Sequence, residues 1–248
     1  MNRPIRIYAI IPVRGGLQSW GDVHRELLAP LTSPEVEITL ADLPAAPVDA
    51  ISDSYTSELV ALQHVQAAID AEQSGYDAVA MGCLGEPGVV AAKEALDIPV
   101  IGEAQAAMHF ASMVGRRFSF LTPGSRSGRQ TGSRARRYEE IAARYGFQDK
   151  LASVRSVLAG SLDFAAQGAN LAAEMLEQGR AAVAEDGADS VIGYGGLDVL
   201  EALREGLDVP VIEPIQASAM MAESLARLRL SQSKHAFGKP EILQAQPV

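Results

Sequence analysis

Cysteine is all but missing from this chain of 248 residues, which has one, Cys83. A single thiol excludes an intrachain disulfide and any metal site built on cysteine. Histidine is also scarce. His24, His64 and His235 show no metal-ligand spacing, and His109 sits in a helical pattern that suits a structural role, so no metal is expected. Positive charge is in deficit: 21 Lys and Arg face 31 Asp and Glu, for a formal net charge of −10. That balance argues against nucleic acid and anionic membrane as partners, although a local cationic groove can still hold a small anion. Long apolar runs are absent. The one near the start, Ile5 to Val13, is too short to span a bilayer, and Pro12 and Arg14 close it without a small-residue cleavage pattern. The expectation is a cytoplasmic protein. Glycines at 15, 16, 195 and 196 make no dinucleotide fingerprint. What remains is globular: 48% hydrophobic and 21% charged residues, enough for one large domain or two small lobes.

Short apolar runs alternate with longer Ala/Leu/Glu-rich helical patterns. The runs read as strands are 5–11, 36–40, 77–81, 98–101, 118–121, 153–158, 190–192 and 209–212. They are continuous rather than alternating, which favours strands buried on both faces of a parallel sheet with right-handed crossovers. The helix near 57–73 has Ser52, Ser54 or Thr56 as caps and Gly75 as a stop. An internal repeat divides the chain. Asp97-Ile-Pro-Val-Ile-Gly-Glu-Ala-Gln-Ala-Ala107 returns about 111 residues later as Asp208-Val-Pro-Val-Ile-Glu-Pro-Ile-Gln-Ala-Ser218, and Gly75-Tyr-Asp77 returns as Gly187-Ala-Asp189. So long a period implies duplicated lobes rather than a solenoid. The expected fold is α/β, with two pseudo-symmetric lobes, each a roughly four-stranded parallel sheet flanked by helices. A small-molecule site is expected in the interlobe cleft. Lobe one would comprise 1–104 plus 215–232 and lobe two 105–214. The polar stretch 233–248 reads as a tail with no part in the chemistry. A homo-oligomer is compatible with the sequence.

Cys83 falls where the run Ala78-Val-Ala-Met81 stops and a helical pattern begins, between Gly82 and Leu84-Gly85. A thiol at the start of a helix meets the positive end of the helix dipole, which favours the thiolate. The amides of Leu84 and Gly85 are candidates to hold an anionic oxygen. Such a cysteine serves as a general base or a nucleophile. It serves equally as a small buried hydrophobe, and the residues alone do not choose between these.

Three blocks carry a resemblance: Cys83-Leu-Gly-Glu-Pro-Gly88, Pro99-Val-Ile-Gly-Glu-Ala-Gln-Ala-Ala-Met-His109, and Gly115-Arg-Arg-Phe-Ser-Phe-Leu-Thr122. Together they resemble the hydantoin racemases of the aspartate/glutamate racemase superfamily, over roughly residues 5–228. The resemblance implies two pseudo-symmetric lobes and cofactor-independent chemistry. It also implies a pair of cysteines flanking the substrate's α-carbon, one from each lobe. Cys83 matches the first. The second is missing: counting back from Pro210 the place falls on Tyr194, and counting forward from Gly187 it falls on Gly195. Tyr194 is a candidate proton donor with an ordinary pKa near 10, and equally a packing residue. The family's Asn-Pro-Asn after the first strand is replaced here by Ile11-Pro12-Val13.

Other candidates follow from the same resemblance. Thr122 aligns with a threonine that contacts the substrate's anionic edge. Pro12 and Tyr55 stand where family members line the ligand, and Gly195, without a side chain, is a candidate to let the backbone approach a ligand at the second strand end. Independently of the resemblance, the Gly/Ser/Arg-rich stretch from 123 to 137 offers Arg126, Arg129, Arg134, Arg136 and Arg137 to clamp a carboxylate, Arg126 and Arg129 foremost, or is simply a solvated loop and helix start. Glu86 and Glu103 are candidates to orient a ligand NH, or exposed carboxylates near helix starts. Two-base inversion needs a proton carrier on each face of a planar carbanion. With one thiol, the expectation is single-cysteine hydrolytic or lyase chemistry on a hydantoin-like cyclic ureide, such as thiohydantoin desulfurisation. The alternatives are a hydantoin racemase with a non-cysteine second base, and a non-catalytic small-molecule binding protein.

Overall fold

The computed structural model describes residues 3–124, 127–160, 162 and 169–244. Its first sheet is built from β1 (Ile5–Ile11), β2 (Val36–Asp42), β3 (Ala78–Met81) and β4 (Val100–Gly102), ordered β2-β1-β3-β4 and parallel throughout. The second contains β5 (Phe118–Gly124), β6 (Gly128–Arg129), β7 (Leu151–Leu158), β8 (Ser190–Gly193) and β9 (Val211–Ile212), ordered β6-β7-β5-β8-β9. Without β6 the two orders are the same, with β1 matched by β5 and β3 by β8. All eight runs expected as strands form strands. The expectation of four parallel strands in lobe two needs one correction: β6 adds a fifth, antiparallel to β7. It begins at Gly128, whose φ is +95°, and two residues are too few for any hydrophobic pattern to reveal.

Helices fill the crossovers: α1 (Gly16–Ser19), α2 (Gly21–Leu28), α3 (Ser54–Gln73), α4 (Val89–Ala95), α5 (Glu103–Val114), α6 (Ser133–Arg144), α7 (Ala169–Asp186), α8 (Leu197–Gly206), α9 (Pro214–Leu228) and α10 (Glu241–Gln244). The cap of α3 is Asp53 rather than a neighbouring hydroxyl residue. Its carboxylate accepts the Thr56 N–H at 2.8 Å, and the Thr56 hydroxyl in turn accepts the Asp53 N–H at 3.2 Å. Helix α9 leaves the second sheet and packs against β1, β3, β4 and α5, while α5 leaves the first and packs against β5 and β8. Small residues make this mutual approach close: Ala104, Ala107 and Ala111 on α5 and Ala217 and Ala222 on α9 are buried in one cluster with Phe118 and Phe120. Those two rings meet edge to face at 5.6 Å.

The polar stretch after α9 is strapped to the first sheet. Gln232 accepts the Val100 N–H at the free edge of β4 (3.1 Å) and donates to Leu96 O and Ile98 O. Lys234 donates to the carbonyls of Lys93, Glu94 and Leu96 at the end of α4. These contacts cover an edge strand and satisfy helix-end carbonyls, and none of these residues lines the cavity described next.

Candidate active site

The carboxyl ends of β1, β3, β5 and β8 open on one cavity of about 950 Å³. Ligands bind at this end of the strands in open α/β sheets. After β3 the chain turns sharply. A Cβ on Gly82 would stand 2.4 Å from Ile10 O, so only glycine fits. Cys83 follows with φ +77°, a conformation that costs a non-glycine residue about 1 kcal/mol or more and that clusters at functional sites. Its Sγ, half-buried in the wall, accepts the Gly85 N–H at 3.4 Å. That amide therefore faces the sulfur rather than a substrate oxygen.

The expectation that a helix dipole depresses the Cys83 pKa is overturned. Helix α4 begins only at Val89, beyond the turn, so the dipole falls short. Burial pushes the thiol up, opposed chiefly by the Arg137 guanidinium. Helix α6 brings that arginine over Gly85, where a Cβ would lie 1.7 Å from Arg137 Nη2.

On the matching strand end of lobe two, Tyr194 follows β8 and lines the same cavity. Its ring packs on Trp20 at 5.5 Å. Burial, with the nearby acids Glu103, Cys83 and Glu213, holds its hydroxyl well above the usual tyrosine range. It is therefore a firmly protonated donor at neutral pH.

Of the residues expected in the site, Cys83, Leu84, Gly85, Pro12, Tyr55, Arg129 and Tyr194 do line the cavity. Thr122 does not: it is fully buried in β5, close to the Tyr138 hydroxyl. Nor does Gly195, which packs against Val199 as the chain enters α8. Arg126 lies outside the described residues. Arg134 and Arg137, two of the arginines offered by the 123–137 stretch, line it as well, together with Trp20, His24 and Tyr138, which the sequence had not pointed to as lining residues. His24 is buried, its pKa brought down to about 4 by loss of solvent, so it presents a neutral ring.

Glu86 and Glu103 are buried, correcting their reading as exposed carboxylates. Glu86 accepts the Gln105 N–H at 2.7 Å and the Tyr145 hydroxyl at 2.5 Å, tying the Cys83 turn to the start of α5. Glu103 takes the Cys83 N–H, and burial raises its pKa well above the carboxylate range. Glu213 caps α9 through the Gln216 N–H at 2.7 Å, and burial lifts its pKa to about 8. A carboxyl raised in the folded state adds stability below its unfolded pKa, near 4.5. That contribution is lost as pH rises through the folded value. Glu213→Gln should therefore flatten the decline in melting temperature between about pH 5 and 8. An unaltered decline would place the titration elsewhere. Among the described residues, no group of three or more His, Cys, Asp or Glu is placed to hold a metal ion, and no helix is long and apolar enough to cross a membrane.

Two sheets related by an internal repeat, with one cavity at their strand ends, define a two-lobed α/β protein. Its family follows from sequence: residues 22–222 match the Asp/Glu/Hydantoin racemase family model, and the chain belongs to that family. It is 32% identical over 192 residues to a hydantoin racemase of Pseudomonas sp. strain NS671, covering 76% of this chain and 73% of the relative. It is 33% identical over 195 residues to a hydantoin racemase of Paenarthrobacter aurescens, covering 77% and 79%. Among solved structures it resembles allantoin racemase from Klebsiella pneumoniae, with a TM-score of 0.82, 29% identity, and coverage of 96% of this chain and 94% of that one.

Proposed function

We propose that this protein is a cofactor-independent racemase of small hydantoin-like cyclic ureides, with Cys83 and Tyr194 as its two proton carriers. One observation carries the reading: these groups occupy the equivalent strand ends of the two sheets and line one cavity. The hydrogen on the ring carbon of a hydantoin is acidic because the carbanion delocalises into the adjacent carbonyl. The Cys83 thiolate removes it from one face and becomes a thiol. The Tyr194 hydroxyl delivers a proton to the other face and becomes a tyrosinate. Both then re-equilibrate with solvent, and the roles exchange for the opposite enantiomer. Arg137 and the Gly85 amide favour the thiolate against the cost of burial, and the raised pKa of Tyr194 keeps its proton in place.

The expected hydrolytic or lyase chemistry, thiohydantoin desulfurisation included, gains no support from the relatives, which are named as racemases. Polarimetry separates the readings. The rotation of an enantiopure 5-substituted hydantoin should decay to zero while the ring stays intact by chromatography. Ring opening, sulfide or carbon dioxide would sink the proposal, and tight ureide binding without any turnover would favour a binding protein.

A further inference from the structure

Among the described residues, the charged ones on the cavity wall are Arg129, Arg134, Arg137 and Asp53. Three cations against one carboxylate is a marked local reversal in a chain of net charge −10. Three of the four charges are engaged within the protein. Arg129 lies 3.7 Å from Asp186, Arg134 donates to Pro123 O at 2.9 Å, and Asp53 caps α3. Arg137 differs: its Nη2 is buried without a hydrogen-bond partner. A buried cationic donor left unpaired is costly, so the arrangement calls for an anion supplied from outside. The guanidinium lies on Gly85, two residues from Cys83, and would collide with any side chain there. An anion held by it therefore sits beside the reacting carbon, not at the cavity mouth. The cavity, at about 950 Å³, leaves room for a substituent beyond a five-membered ring.

Building on the ureide reading above, we infer that Arg137 anchors the carboxylate of an acidic substituent on the ring carbon. The preferred substrates are then cyclic ureides with an anionic side chain, and Arg137 sets that specificity. A planar guanidinium is suited to this role because it grips a carboxylate with two parallel hydrogen bonds.

Calorimetric titration with racemic 5-(2-carboxyethyl)hydantoin and its carboxamide counterpart tests this. Racemisation of a racemic ligand is no net reaction, so with the ring shown intact by chromatography the heats report binding. The wild-type protein should bind the carboxylate roughly 10- to 100-fold more tightly than the carboxamide. That ratio should fall to near one in Arg137→Gln and to an intermediate value in Arg137→Lys, which keeps the charge but loses the fork. Equal binding of the two ligands by wild type would overturn the inference, as would a preference that survives Arg137→Gln. If Arg137→Gln does not fold, an undiminished preference in Arg137→Lys overturns it. Binding of neither ligand overturns it together with the ureide reading. Carboxylate-selective binding without loss of optical rotation supports the inference and counts only against proton transfer.

Discussion

Cys83→Ala should lower the rate of inversion at the ring carbon by roughly 10³- to 10⁴-fold, with the fold intact. The side chain is small and half-buried, so its truncation leaves little cavity, and the positive φ that it adopts at +77° is equally awkward for alanine. Stability should therefore change far less than rate. The pH dependence gives an independent readout. Burial raises the Cys83 pKa, so only a minor fraction is thiolate at neutral pH. Wild-type kcat/KM should climb with pH through roughly 7 to 9, because Tyr194 still holds its proton there. Racemisation of similar rate in Cys83→Ala, measured by polarimetry, would remove the sulfur from the mechanism.

Tyr194→Phe should lower inversion by roughly 100-fold or more, yet spare exchange of the ring hydrogen in one enantiomer. The ring packed at a tilt against Trp20 is retained, so packing changes little. Without the hydroxyl, a carbanion made by Cys83 has no donor on its second face. The only return path is through the sulfur, on the face from which the proton left. Deuterium from heavy water would then enter the enantiomer that Cys83 serves, with retention of configuration. A purely structural role for Tyr194 would depress exchange and inversion together, and that joint loss would refute the assignment.

The architecture was readable because its signals are dense. Eight continuous apolar runs and a repeat of more than ten residues each report the parallel sheets independently. The cavity was readable where a residue directly follows a strand, as Cys83 and Tyr194 do. Of the residues that arrive by other routes, Tyr55 and the arginines of the 123–137 stretch were legible as candidates, whereas Trp20, His24 and Tyr138 were not. Trp20 and His24 reach the wall from the helical segment after β1, and Arg137 and Tyr138 from α6, a helix whose approach to Gly85 is tertiary. Glycine at position 85 was a partial signal: it marked a close approach, but nothing in the sequence said that Arg137, among the arginines of the 123–137 stretch, is the one that makes it. The burial of Glu86, Glu103 and Glu213 was hidden for a related reason. Acidic residues at helix starts are usually exposed. Here the first turns of α5 and α9 lie between two sheets, and the same local pattern is carried into the interior. The dipole argument for Cys83 failed on distance alone, since Glu86-Pro87-Gly88 intervene before α4 begins.

The opposed pair of proton carriers is tested most directly by isotope entry during the first turnovers. An enantiopure 5-substituted hydantoin is incubated with wild-type protein in heavy water, quenched early, resolved by chiral chromatography and weighed by mass spectrometry. A carrier on each face predicts that the newly formed enantiomer bears one deuteron at the ring carbon while the unconverted substrate remains largely protiated. A new enantiomer that keeps the original protium would contradict the account, as would deuterium entering both enantiomers equally from the start.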